Sequence, residues 1–94
     1  MVQPDMFIDE KDRLVIESEP KLRSTLAALP QDLYIPAYFV KQATGMSYSS
    51  IGRLREMGIL SAIRTVGKQG APRYRYQRES VVAWIQASFM PGKY

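Results

Sequence analysis

Between residues 64 and 75 the chain places Arg64, Lys68, Arg73 and Arg75, with the amide of Gln69 beside Lys68. Guanidinium and ammonium groups at this density are donors to phosphate oxygens, and Gln69 adds a neutral donor and acceptor. A second group, Ser49, Gly52, Arg53 and Glu56, is spaced to share one side of a helix that Tyr48 begins. Arg53 carries a planar fork that can donate to guanine O6 and N7, a contact worth about 1–3 kcal/mol of discrimination against a wrong base; the alternative is an exposed helix charge with no partner. Ser49 can reach a phosphate or a base edge. Tyr48 can set its hydroxyl on a phosphate with its ring against the turn, and the alternative is a packing role alone. Gly52 inside a helix costs about 1 kcal/mol relative to Ala, so it either lets the helix axis approach a ligand closely or makes room for a neighbouring element. Arg55 lies nearer the core edge, where its stem covers apolar surface and its head reaches a phosphate or carboxylate.

This chemistry recognises anions and base edges and makes no bonds. The 94 residues include no Cys and no His, which removes disulfides, thiolate nucleophiles, imidazole bases and the ordinary zinc ligands. No catalytic residue, metal or cofactor is therefore expected. An enzyme would need a carboxylate pair in a cleft, and beyond residue 32 the acids are Glu56 and Glu79, on different elements. Asp9, Glu10 and Asp12 are close together but lack the pattern of a calcium loop, so a solvated turn is expected there. The run Gly67-Lys-Gln-Gly70 lacks the spacing of a phosphate-binding P-loop.

The net charge of +4 averages two unlike parts. Residues 1–32 hold four bases against seven acids, or −3; the remainder holds nine bases against two acids, or +7. This divides the chain into an acidic N-terminal arm (1–32), a basic domain (33–90) and a short tail (91–94). A basic domain favours a phosphate-rich partner, and the alternative is a merely solvated surface. With 46% hydrophobic and 23% charged residues the composition is that of an ordinary globular chain. The longest apolar runs are too short to span a bilayer and residues 1–12 have no signal-peptide core, so a cytoplasmic protein with no membrane partner is expected.

The elements that must carry these side chains are marked by local punctuation. In the arm, Met6-Phe7-Ile8 and Leu14-Val15-Ile16 flank a polar link and predict a hairpin. Leu22, Leu26 and Leu29 then recur at helical spacing behind Pro20, predicting a helix over 20–29 that Pro30 stops. Pro36 opens a helix over 36–44 with Gly45 past its end, and Ser47 caps a second over 48–57 that ends at Gly58. Residues 62–66 and 73–76 read as strands joined by the Gly67 to Pro72 turn, with Arg73 and Arg75 on one face and Tyr74 and Tyr76 on the other. A last helix over 78–89 has Val81, Trp84, Ile85 and Phe89 as its apolar stripe. Tyr74, Tyr76 and Trp84 could stack on unpaired bases, but core positions fit their pattern better.

Helix, short turn, helix, hairpin, helix predicts an α+β fold, a small winged helix-turn-helix of three short helices and a β-hairpin wing with an N-terminal arm. The runs Ala43-Thr-Gly-Met-Ser47, Ile51-Gly-Arg-Leu54, Glu56-Met-Gly-Ile-Leu60 and Tyr74-Arg-Tyr-Gln-Arg-Glu79, with Trp84-Ile85, resemble the excisionase and MerR-like winged helix-turn-helix superfamily over about residues 34–86. The resemblance implies double-stranded DNA as partner, the second helix in the major groove and the wing on the backbone or minor groove. It implies DNA bending for an integrase-like partner or repression of a promoter, with cooperative self-association on repeated sites, in a bacterial cell or phage-infected host near the nucleoid. Phage terminase small subunits share the layout, and a plain repressor is a further alternative. Ile35 departs from the pattern, standing where many relatives carry a capping Ser or Thr, and the long dimerisation helix of MerR regulators has no counterpart. From another class, winged helices serve as protein-interaction modules, for which the Leu22, Leu26, Leu29 stripe is the candidate docking face. A hairpin whose charges merely protect a sheet edge is the corresponding alternative for the wing.

Overall fold

Ser18 begins the first helix by accepting a hydrogen bond from the Lys21 N–H, with Pro20 in the first turn where its missing donor costs nothing. The computed structural model describes residues 12–67, 70 and 72–90. Its elements run α1 (Glu19–Ala27), β1 (Tyr34–Pro36), α2 (Ala37–Thr44), α3 (Tyr48–Glu56), β2 (Ala62–Val66), β3 (Pro72–Gln77) and α4 (Arg78–Ala87). Among the described residues, four helices and a three-stranded antiparallel sheet, ordered β1-β3-β2, make a small α+β fold.

The link between α2 and α3 is built from three residues. Gly45 takes φ 77°, a left-handed conformation that suits glycine, and its N–H caps α2 on the Lys41 carbonyl at 2.7 Å. Met46 is buried beneath the turn, its N–H held by Thr44 Oγ1. Ser47 then caps α3 by accepting from the Ser50 N–H at 3.1 Å. The punctuation expected at Pro36, Gly45, Ser47 and Gly58 is thus in place, with helix ends within a residue or two of those read from it.

Strand β1 was not expected. Tyr34–Pro36 is short, and it becomes a strand because β3 pairs with it, Ile35 opposite Tyr76. Ile35 therefore does not stand at a helix cap: it is the buried centre of a strand, and Pro36 takes the cap position without a side-chain hydrogen bond. Tyr76 lies between Ile35 and Ala62 and is buried. It belongs to the core, as its alternation with Arg75 implied.

One apolar cluster joins the elements. Val40, Ile51, Leu54, Leu60, Val81 and Ile85 are buried together with Ile16 and Leu29, which come from the acidic stretch. Leu22 and Leu26 pack against the same cluster, so the leucine stripe of α1 is turned inward and does not form an external docking face. Ile16 is seated by the far end of the chain: its N–H donates to the Ser88 carbonyl at 3.1 Å, and its own carbonyl accepts from the Met90 N–H at 2.8 Å. That pairing lies beside Phe89, which sits past the end of α4 instead of within it. The predicted hairpin over Met6–Ile8 and Leu14–Ile16 lies half outside the described residues, as does the 91–94 tail; of its described half, Ile16 pairs with the Phe89 segment. No helix among the described residues is long and apolar enough to cross a membrane.

Candidate functional site

Helix α3 divides lengthwise. Ser50, Ile51 and Leu54 are buried, whereas Tyr48, Ser49 and Glu56 are exposed and Gly52 and Arg53 are partly so. At 100° per residue the open side is centred between Gly52 and Glu56, as the helical spacing predicted. Tyr48 is 52% exposed, and the Lys41 ammonium lies 5.4 Å from the centroid of its ring. A Cβ added at Gly52 would meet Arg55 Nη1 at 3.8 Å, an ordinary contact. Internal packing therefore does not require a glycine at this position.

Arg53 is held. Its Nε donates to one oxygen of Asp12 at 2.6 Å and its Nη2 to the other at 2.8 Å, a bidentate charge-assisted pair. The same carboxylate accepts from the Ser50 hydroxyl on the previous turn of α3. Asp12 is 4% exposed, which overturns its expected place in a solvated turn, and the Arg53 side chain remains 40% exposed. Asp9 and Glu10 lie outside the described residues. The acidic segment thus reaches the flank of the helix expected to read bases, and Arg53 is neither an unpaired surface charge nor a loose one.

On the other flank, Arg55 joins α3 to the hairpin. Its guanidinium carbon lies 3.7 Å from the centroid of Tyr74, close enough for a cation–π contact, and Nη1 donates to the Tyr76 hydroxyl at 3.2 Å. A further Nη2 contact to Glu56 spans 3.7 Å. The head of Arg55 was expected on a phosphate or carboxylate; it rests mainly on two tyrosines.

The hairpin register distributes its arginines. Directly paired residues of antiparallel strands share a face. Arg64 is opposite Tyr74, whereas Arg73 is opposite Thr65 and Arg75 opposite Ile63. Arg73 and Arg75 therefore lie together on one face as alternation predicted, and Arg64 lies on the other, with Tyr74. All three are exposed. The stem of Arg73 passes close over Gly67, so a side chain at that position would require the arginine to move. Lys68 and Gln69 lie outside the described residues.

Between the start of α2, the start of α3 and the hairpin runs an open cleft of about 910 Å³, into which Tyr38, Tyr48, Arg55, Arg73, Tyr74 and Arg75 contribute. Such a surface offers guanidinium groups to anions and aromatic faces to flat or apolar groups. Tyr38 and Arg55 were missed as lining residues from the sequence, since only their approach to β3 places them here. Among the described residues no cluster of acidic side chains is arranged to hold a metal. No family model, curated protein or solved structure matches the chain.

Proposed function

We propose that the chain is a winged helix-turn-helix protein of excisionase-like type that binds double-stranded DNA, with α3 in the major groove and the β2–β3 hairpin as a wing against the backbone. The observation that carries this reading is the open polar side of α3, Tyr48, Ser49, Gly52 and Arg53, next to a hairpin that bears exposed Arg64, Arg73 and Arg75. Supporting it are the three-residue link from α2 to α3 and the sheet order β1-β3-β2, which sets the hairpin beside α3 through Arg55 and Tyr74. The protein acts by docking and bending, without chemistry of its own, in recombination alongside an integrase-like partner or at a promoter, and copies associate on repeated sites. Its place of action is the cytoplasm, at the nucleoid.

Mobility shift with duplex DNA at two salt concentrations tests the reading. We expect binding that weakens as salt rises, because phosphate contacts release counterions. Absent or salt-insensitive binding overturns it.

A further inference from the structure

We infer, resting on the DNA-binding reading, that Glu56 is a specificity-determining residue of α3, whose carboxylate accepts a hydrogen bond from the exocyclic amino group of a cytosine in the major groove.

Position and exposure both favour this role. Ser50, Ile51 and Leu54 are buried and fix the inward direction of α3. At 100° per residue Glu56 lies almost opposite to them, nearer the centre of the open side than Arg53. Its side chain is 71% exposed. A long side chain on a helix leans toward the N-terminus, which from position 56 is toward Gly52, one turn back, where no side chain takes up the space. With nine residues α3 is about 13 Å long, close to the major-groove width of about 12 Å, so both ends of its open side can face one groove.

Fold stability gives no reason for a glutamate here. An acid in the last turn of a helix opposes the macrodipole. Glu56 lies 3.7 Å from Arg55 Nη2, longer than a hydrogen bond, and an ion pair with one partner in solvent contributes little. Arg55 has its own partners in Tyr74 and Tyr76. Beyond residue 32 the chain has two acids, Glu56 and Glu79, against nine bases. One of those two negative charges thus stands on the face that meets phosphate. A carboxylate there repels the DNA backbone whatever the sequence, and gains only where it meets a donor. The base-edge donors of the major groove are cytosine N4 and adenine N6. Adenine sets its N7 acceptor beside N6, which repels an acceptor-only group, so cytosine is the match.

The test uses the full chain and a pool of duplexes with a randomised core, selected by binding and then sequenced. Glu56→Ala is expected to lower the preference for cytosine at one base pair about fivefold or more, while affinity for unselected duplex rises through the loss of a negative charge. Glu56→Gln should move the preference at that same pair toward adenine, whose N6 and N7 match an amide. Glu79→Gln removes the other acid and should leave the preference at that pair unchanged. Because preference is a ratio between two duplexes for one preparation, a reduced folded fraction cancels from it.

If Glu56→Ala tightens or keeps binding to every duplex with all base preferences intact, the glutamate reads no base, and the inference is overturned while DNA binding stands. A lost preference for a base other than cytosine, or an equal loss in Glu79→Gln, overturns it in the same way. If the unaltered chain binds no duplex, the proposed function fails and this inference with it.

Discussion

The guanidinium of Arg55 lies 3.7 Å from the centre of the Tyr74 ring, and this contact fastens α3 to the second strand of the hairpin. Arg55 also reaches the Tyr76 hydroxyl, so one side chain ties the helix to two successive inward residues of β3. Arg55→Lys keeps the charge but loses the flat face and the fork. We expect it to lower stability by about 1 kcal/mol through the lost stacking and hydrogen bond, and to loosen the angle between helix and hairpin. Denaturant unfolding measures the first; an unchanged midpoint would show the stack to be incidental.

Gly52 should be a position where stability and binding part. Ala is the better helix former, and its Cβ meets nothing closer than 3.8 Å, so Gly52→Ala is expected to raise stability by up to about 1 kcal/mol. On the DNA-binding reading the same methyl group keeps the helix away from the groove floor, and affinity falls. Thermal melting and mobility shift on one preparation check both. A variant that gains stability and binds as before would remove the close-approach explanation of the glycine.

On the DNA-binding reading the hairpin arginines should act through charge. If about five phosphates are neutralised, log affinity falls against log salt with a slope of roughly −4.5, and Arg73→Ala or Arg75→Ala each makes it shallower by about 0.9. Their effect should be equal on all sequences. Arg64, on the opposite face of the hairpin, tests whether one face or both meet DNA: an unchanged slope in Arg64→Ala points to the Arg73 and Arg75 face alone.

Ile16 offers a test of how the acidic stretch contributes to folding. It is 1% exposed within the same core as Ile51 and Leu54. Ile16→Ala should cost about 2–5 kcal/mol, like any large truncation in a packed core. A cost below 1 kcal/mol, read from chemical denaturation, would mean that the segment docks without supporting the domain.

The parts of the fold legible in the sequence are those governed by neighbours. Gly45 and Ser47 mark a helix end and a helix start through their own backbone preferences, and the alternation of Arg73 to Tyr76 states which faces the side chains take. What could not be read depends on partners distant along the chain. Tyr34–Pro36 is a strand because Ile35 meets Tyr76, and no three-residue signal encodes that. The face of Arg64 follows from the register between β2 and β3, which the alternation of either strand alone does not specify. The excess of acid before residue 33 was visible, but the pairing of Asp12 with Arg53 spans 41 positions, and local pattern led instead to a solvated turn.

The seating of Ile16 beside Phe89 also has a bearing on synthesis. The groups that pair with Ile16 belong to residues 88–90, which are synthesised after α2, α3 and the hairpin. Until then the backbone N–H and carbonyl of Ile16 lack the Ser88 and Met90 groups that pair with them. The bridge between Ile16 and the Phe89 segment is thus a clasp that only a chain made through Met90 can close.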